Sequence, residues 1–145
     1  MSNSDNPIIG AEFQEQVRIW FQERYGKEFA SEKKLAIGFY PDNKKDHKFD
    51  IVAEDDSMAI ECKRYTWTVS GNVPSAKMGF TNEAAFYLSL LPASYEKYIV
   101  MLYSYNAKRG ETLAEYYYRT NSHLLGEIKV AEYNPETKEF RIIEA

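Results

Sequence analysis

Two carboxylates and one amine lie inside a predicted β-hairpin, at positions where apolar side chains would pack better. The hairpin belongs to the segment HKFDIVAEDDSMAIECKRYTWT, residues 47–68. If the two consecutive aspartates form the centre of its turn, Asp50 lies directly opposite Glu61, and Lys63 follows on the same face. Opposed carboxylates about 5 Å apart repel by roughly 3 kcal/mol at an effective dielectric near 20. A divalent cation bound between them would remove this repulsion, because hard cations bind carboxylate oxygens.

An ordinary surface hairpin is the alternative explanation for these three charged residues. In that case both acids point to solvent, and Lys63 forms a salt bridge with Asp50 or Glu61. The opposite face of the hairpin is apolar in the same register, which indicates that this face packs on a core. Its members are Phe49, Ile51, Ala53, Met58, Ile60 and Cys62.

The flanking sequence predicts the elements that position this hairpin. A first helix is expected from a cap at Asn6-Pro7 to a stop at Gly26. Its apolar side chains recur at helical spacing. Alternating or continuous apolar runs bounded by turn residues predict the strands. The expected order is strands at 34–40, 49–54 and 57–65, a helix at 75–91, a strand at 95–105, a helix at 110–126 and a hairpin at 127–144.

Length and composition favour one domain spanning 1–145, with all 145 residues in a globular composition. The net charge of −4 argues against a protein that coats nucleic acid by bulk charge, but not against an enzyme with a local basic patch. The single Cys62 excludes an internal disulfide and a cysteine-based zinc cluster. No apolar run reaches the ~20 residues of a membrane span, and the first residues do not match a signal peptide. A cytoplasmic protein without a membrane partner is the expectation.

The motif resembles that of the PD-(D/E)XK nuclease superfamily, which includes restriction enzymes and Holliday-junction resolvases. The matching residues are Asp50 on one strand and Glu61-Cys62-Lys63 on the next, and the resemblance covers about residues 9–105. It implies an α/β (α+β) fold with a restriction-endonuclease-like core: helix, three-strand meander, helix and strand, in a mixed central sheet flanked by helices. The C-terminal helix and hairpin, about 110–145, would be an addition. Two departures are Phe49 in place of proline and Gln14 in place of the glutamate of the first helix.

The resemblance implies a magnesium- or manganese-dependent enzyme that hydrolyses phosphodiester bonds. Asp50, Glu61 and the backbone carbonyl of Cys62 would hold the metal, with Glu12 as a weaker additional candidate. Lys63 would orient the attacking water or stabilise charge on the phosphate. The implied partner is nucleic acid, with DNA favoured over RNA and endonuclease action over exonuclease action.

Four further residues are candidates for the same site. Lys77 lies on the predicted apolar stripe of the second helix; it either reaches the active site or lays its stem on the core. Trp67 and Asn72, in the loop after the motif, could contact a nucleotide, although a position in the core is favoured for Trp67. Arg64 is a weaker candidate for binding nucleic acid. His47, like His123, is expected to be a surface or capping residue.

Two other functions remain open. The chain could be a nuclease-fold module that binds without catalysis, for example as a dimeric subunit. It could also be an unrelated α+β protein that uses its tyrosine-rich helix, with Tyr116-Tyr117-Tyr118, as a dimer surface. Divalent-metal binding at Asp50 and Glu61 separates both from an enzyme.

Overall fold

The structure is a computed structural model that describes residues 10–144. One mixed six-stranded sheet, flanked by helices, dominates this part of the chain. The elements in chain order are α1 (Gly10–Tyr25), β1 (Phe29–Ile37), β2 (Lys45–Ala53), β3 (Met58–Lys63), α2 (Ser75–Ser89), β4 (Glu96–Leu102), β5 (Tyr105–Asn106), β6 (Glu111–Thr112), α3 (Leu113–Asn121), β7 (Lys129–Asn134) and β8 (Glu139–Ile143).

The sheet has the strand order β1-β2-β3-β4-β7-β8, while β5 and β6 form a separate short hairpin. The two central pairs, β3 with β4 and β4 with β7, are parallel. The outer pairs are antiparallel. Helices α2 and α3 therefore serve as the crossover connections that parallel neighbours require.

Two apolar layers cover the two faces of the sheet. On one face α1 buries Phe13, Val17 and Phe21 against Ile51 and Ile60. On the other face α2 and α3 pack on side chains that include Val52, Ala59 and Ile99. The central strands β3, β4 and β7 are buried on both sides, which explains why β4 is a continuous apolar run rather than an alternating one.

The mixed α/β sheet with flanking helices is confirmed, and so is the predicted register of the central hairpin. Ile51 pairs with Ile60 and Val52 pairs with Ala59, about the expected turn. The terminal β7–β8 hairpin is also confirmed. Gly26 ends α1 with φ of +65°, and its N–H donates to the carbonyl of Gln22.

Several helix and strand boundaries differ from the predicted ones. Strand β1 runs from Phe29 to Ile37 rather than over 34–40, and β2 begins at Lys45. These charged segments form strands because they pair with each other at the edge of the sheet, which outweighs their low β-propensity. The predicted helix at 110–126 is shorter, because the β5–β6 hairpin precedes it. The expected cap at Asn6-Pro7 lies outside the described residues.

The buried face of α2 also differs from the predicted stripe. Phe80 was expected to face the core, but it is 50% exposed. Ala84, Leu88 and Leu91 of the predicted stripe are buried as expected, and Met78, Thr81 and Ala85 are buried in addition. Thr81 is tolerated there because its hydroxyl donates to the carbonyl of Lys77, so no polar group is left without a partner.

No helix within residues 10–144 has the length and apolar character needed to cross a membrane.

Candidate functional site

A pocket of about 800 Å³ opens where β2 and β3 leave their pairing region. Four elements contribute to its wall: the start of α1, strand β2, the end of β3 with the loop that follows it, and the start of α2. Six of the predicted site residues line this one pocket: Asp50, Cys62, Lys63, Arg64, Trp67 and Lys77. Glu61, Glu12 and Asn72 are not among its lining residues. The other lining residues are Gly10, Phe13, Gln14, Tyr65, Thr66, Thr68, Val69 and Pro74.

Asp50 and Glu61 hold each other across the two strands. The backbone N–H of Asp50 donates to Oε2 of Glu61 at 2.9 Å, and the backbone N–H of Cys62 donates to Oδ2 of Asp50 at 2.8 Å. Each carboxylate thus accepts a hydrogen bond from the opposite strand, beyond the last backbone-paired residues. The two acidic side chains converge in the way the hairpin register predicts.

Burial makes this acid pair electrostatically costly. Glu61 is only 6% exposed, and desolvation together with the nearby Asp50 raises its pKa to about 8. Desolvation also raises the pKa of Asp50, against the opposing effects of the Cys62 N–H and the charge of Lys63. Two buried carboxylates in contact do not readily ionise together at neutral pH, so the metal-free pair favours a bound proton.

Lysine side chains supply positive charge at the same pocket. The ammonium groups of Lys63 and Lys77 lie over the same ring, that of Tyr65, with distances to its centroid of 5.9 and 5.5 Å. The charge of Lys63 lowers the pKa values of both Asp50 and Glu61. Arg64 also lines the pocket. The arrangement combines a proton- or metal-binding acid pair with cations suited to a phosphate.

Helix α1 supports the site through Gln14 rather than through Glu12. The side-chain amide of Gln14 donates to the backbone carbonyl of Asp50 at 3.0 Å. Glu12 is exposed and does not line the pocket, so its predicted role as an additional metal ligand finds no support. Gln14, which flanks the buried Phe13, lies nearer to β2.

The loop residues proposed for nucleotide contact have different environments. Trp67 is 8% exposed and its Nε1 donates to the carbonyl of Ser104, so it fills the core and leaves little ring surface for a base to stack on. Asn72 is exposed, and its side chain donates to the Ser70 hydroxyl within its own loop. The thiol of Cys62 packs beside the α1-side core, and burial raises its pKa, which argues against a nucleophile.

His47 was predicted to be a surface or capping residue, but it lies next to the acid pair. Its ring stacks on Tyr87 with centroids 4.0 Å apart, and its Nε2 lies 3.5 Å from Oε1 of Glu61. Burial lowers its pKa. That Nε2 is buried and forms no hydrogen bond within the described residues. His47 and Glu61 are therefore close without a well-aligned hydrogen bond.

The alternation of side chains between the two faces of β2 is interrupted near Asp50, so the contact of His47 with Glu61 was not predicted. Phe49 packs in the core on the α2 side, whereas Ile51, two residues later, packs on the α1 side. Opposite this point in β1, Glu32 has φ of +54°, an uncommon value for a residue other than glycine. Strict alternation placed Phe49 on the same face as Ile51, and that expectation was wrong.

The donor set fits a magnesium ion better than a transition metal. Within residues 10–144, no group of three or more His, Cys, Asp or Glu side chains is placed to hold a metal ion. The acid pair provides two carboxylates, and magnesium sites often use one or two carboxylates completed by water. The Cys62 carbonyl would be a further hard oxygen ligand.

Comparisons with known proteins add no assignment. No protein-family model, no curated protein and no solved structure matches the chain.

The acid pair predicts how the stability of the metal-free protein depends on pH. The pKa of Glu61 is about 8 in the folded state against an ordinary value of 4.5, so between these values the folded state keeps a proton that the unfolded state has lost. The free energy of unfolding should therefore fall as pH rises through this window, by at most about 1.4 kcal/mol per pH unit from this group. Urea unfolding at a series of pH values in a chelator measures the slope. Glu61→Gln should flatten it, and an unchanged slope in that variant would contradict the assignment.

Proposed function

We propose that the chain is a divalent-metal-dependent nuclease that hydrolyses phosphodiester bonds in DNA, with a site of the PD-(D/E)XK kind. The observation that carries this proposal is the acid pair itself. Asp50 lines the pocket together with Lys63 and Lys77, and the largely buried Glu61 is held against Asp50 from the neighbouring strand. Folding stability alone would not favour two buried carboxylates in contact.

Asp50 and Glu61 would hold magnesium or manganese, with the backbone carbonyl of Cys62 as a third oxygen ligand. When bound, the cation supplies charge that stabilises a phosphate and lowers the pKa of a coordinated water. The backbone N–H groups of Asp50 and Cys62 fix one oxygen of each carboxylate, so the acids are oriented before any ligand arrives. Gln14 fixes the backbone of β2 at the same point.

Lys63 is proposed as the catalytic residue that orients the attacking water or stabilises charge on the phosphate. Lys77 is proposed to bind a phosphate. Hydrolysis forms a bond between the phosphorus atom and a water oxygen and breaks the bond to one ester oxygen, while negative charge grows on the phosphate. The ammonium of Lys63 can donate to the attacking water or to a non-bridging oxygen, and so stabilises that charge. Lys77, across the Tyr65 ring, would contact the same or a neighbouring phosphate.

The order of elements supports the same proposal. Residues 10–102 run helix, three-strand meander, helix, strand, and the acids lie on the second and third strands. This is the order that the resemblance to the superfamily implies. A cytoplasmic setting is part of the proposal, and its support is the single free Cys62.

Magnesium or manganese should raise the melting temperature of the protein. The ion relieves the repulsion in the acid pair and binds only the folded state, so it stabilises by about 2.7 kcal/mol at a concentration 100-fold above its Kd. Differential scanning fluorimetry with and without chelator measures the shift. Asp50→Asn should abolish it, and should itself be neutral or stabilising without metal because it removes a buried ionisable carboxylate that is in contact with another. A melting temperature of the parent protein that neither metal changes would count against the site.

A binding module that lacks catalysis is the second candidate, since the same pocket would bind a phosphate without cutting the chain. Such a protein would bind DNA in a salt-sensitive way and leave it intact. The third reading, a dimer formed through the tyrosine-rich helix, loses support. Tyr117 is buried, while Tyr116 and Tyr118 are half-buried against the core. Formation of a homodimer through another surface remains a separate question for size-exclusion measurements.

A further inference from the structure

The loop after the motif presents a fully exposed aliphatic side chain at the rim of the candidate pocket. Val69 has a relative exposure of 105%, the highest among the large apolar residues of residues 10–144. The same residue lines the pocket that contains Asp50 and Lys63. Single exposed aliphatic residues are common on protein surfaces, and what distinguishes Val69 is its position in the lining of the candidate pocket.

The loop that carries Val69 is rigidly held. The N–H of Thr68 donates to the carbonyl of Asn72, and the N–H of Gly71 donates back to the carbonyl of Thr68. The N–H of Asn72 also donates to the Thr68 hydroxyl, and that hydroxyl lies 3.2 Å from the hydroxyl of Ser70. Val69 is therefore presented on a closed, hydrogen-bonded turn rather than on an extended chain.

The β5–β6 hairpin fixes this turn to the body of the protein. The buried Asn106 donates its side-chain amide to the carbonyl of Gly71 at 3.0 Å. Arg109, in the connection between β5 and β6, has its guanidinium 5.0 Å from the ring centroid of Trp67 and 5.8 Å from that of Tyr116. These contacts hold an exposed cation beside the turn, and guanidinium groups are well suited to phosphate.

We propose that Val69 is a wedge that packs against an unstacked base next to the cleaved phosphate, with Arg109 contacting the backbone of the same nucleic-acid strand. This inference rests on the proposed nuclease function and names its substrate class: duplex DNA interrupted by an unpaired base or a branch. Apolar side chains that enter DNA between base steps unstack them, and this costs least where stacking is already interrupted. Rigidity matters, because a mobile loop would lose its ordering entropy on binding.

The positive charge around Val69 favours nucleic acid as the occupant of this surface. Lys63, Arg64 and Lys77 line the same pocket as Val69, and Nε of Arg109 lies 3.4 Å from the carbonyl of Gly71 in the turn that carries Val69. An anionic strand that places a phosphate at Lys63 would pass these cations and bring a base to the wedge. A second protein would meet one exposed aliphatic residue surrounded by cations, which is a poor apolar interface.

The test uses a DNA duplex with one bulged nucleotide and 2-aminopurine next to the bulge, whose fluorescence rises when the base unstacks. The protein carries Lys63→Ala so that the DNA stays intact, and magnesium is present. Adding it should raise the fluorescence. Introducing Val69→Ala should remove most of the rise, whereas Val69→Leu should keep it. Leu124→Ala, at an apolar residue that is 53% exposed outside the pocket, is the matched control and should also keep it.

Cleavage by proteins with Lys63 intact gives the second readout. Val69→Ala should lower kcat/KM for the bulged duplex by about tenfold and leave cleavage of a fully single-stranded oligonucleotide within about twofold, because no stack has to be opened there. An unchanged fluorescence rise in Val69→Ala would overturn the wedge while leaving the nuclease proposal standing. A lower melting temperature of Val69→Ala with unchanged substrate selectivity would also overturn it, since Val69 would then be covered by the protein itself. Parent protein that neither binds nor cleaves any DNA would overturn the proposed function and the wedge together.

Discussion

Asp50→Asn is expected to abolish metal-dependent cleavage of DNA, with a loss of about 10³-fold or more in kcat/KM. The amide oxygen can still accept the hydrogen bond from Cys62 N–H, so the hairpin should keep its geometry. What is lost is the negative charge that would hold the cation. The measurement is cleavage of a panel of branched, single-stranded and duplex DNA with magnesium or manganese at low salt.

Glu54→Gln is the matched control for this substitution. Glu54 directly follows the same strand, is exposed, and does not line the pocket. Its neutralisation should leave both cleavage and the metal-induced rise in melting temperature unchanged. If Asp50→Asn cleaves as fast as the parent, the assignment of the acid pair is wrong. If the parent cleaves nothing in the panel with either metal, the catalytic proposal has to be abandoned.

Lys63→Ala is expected to lose about 10²–10³-fold in cleavage rate while it keeps the metal-induced rise in melting temperature. The separation follows from the proposed roles, because the ammonium acts on the water and the phosphate rather than on the cation. Removing its charge also removes an effect that lowers the pKa of both carboxylates, so metal binding should need a slightly higher pH. Single-turnover cleavage and scanning fluorimetry on the same samples measure the two effects.

Two further lysine variants serve as comparisons for Lys63→Ala. Lys129→Ala removes an exposed lysine that pairs with Glu96 outside the pocket, and it should change neither readout. Lys77→Ala should weaken substrate binding more than it slows the chemical step, since Lys77 is proposed only as a phosphate anchor. Equal loss of activity and of metal binding in Lys63→Ala would indicate that the lysine serves the fold of the pocket and has no separate role in catalysis.

The register of the hairpin was predictable because local physics determines it. A short turn with a buried apolar face on both strands leaves one favourable pairing, and a slip by one residue would move Ile51 and Ile60 to the wrong face. The pairing of Asp50 with Glu61 follows from that register. The overall mixed sheet was predictable for a similar reason, because long apolar runs such as β4 must be covered on both faces.

The environment of His47 and the position of Gln14 were not predictable from spacing. His47 reaches Glu61 because the strand alternation breaks near Asp50, and the backbone angle of Glu32 that accompanies the break depends on tertiary contacts. Gln14 rather than Glu12 faces β2 because of the angle at which α1 crosses the sheet. Neither the twist of an edge strand nor a crossing angle can be obtained from the order of residues alone.

The reciprocal hydrogen bonds of the acid pair also affect how the site would change under selection. Asp50 and Glu61 accept backbone N–H groups that would otherwise lack partners in a buried position, so their oxygens serve the sheet as well as the proposed chemistry. In a descendant that lost catalysis, selection would still act against aliphatic residues at these two positions, because they would leave the backbone N–H groups without acceptors. Asn and Gln would be tolerated. Lys63 has no ion-pair partner within 4 Å among residues 10–144, so no such structural constraint protects it. Among related sequences, a retained lysine would therefore be better evidence of an active enzyme than the retained acids.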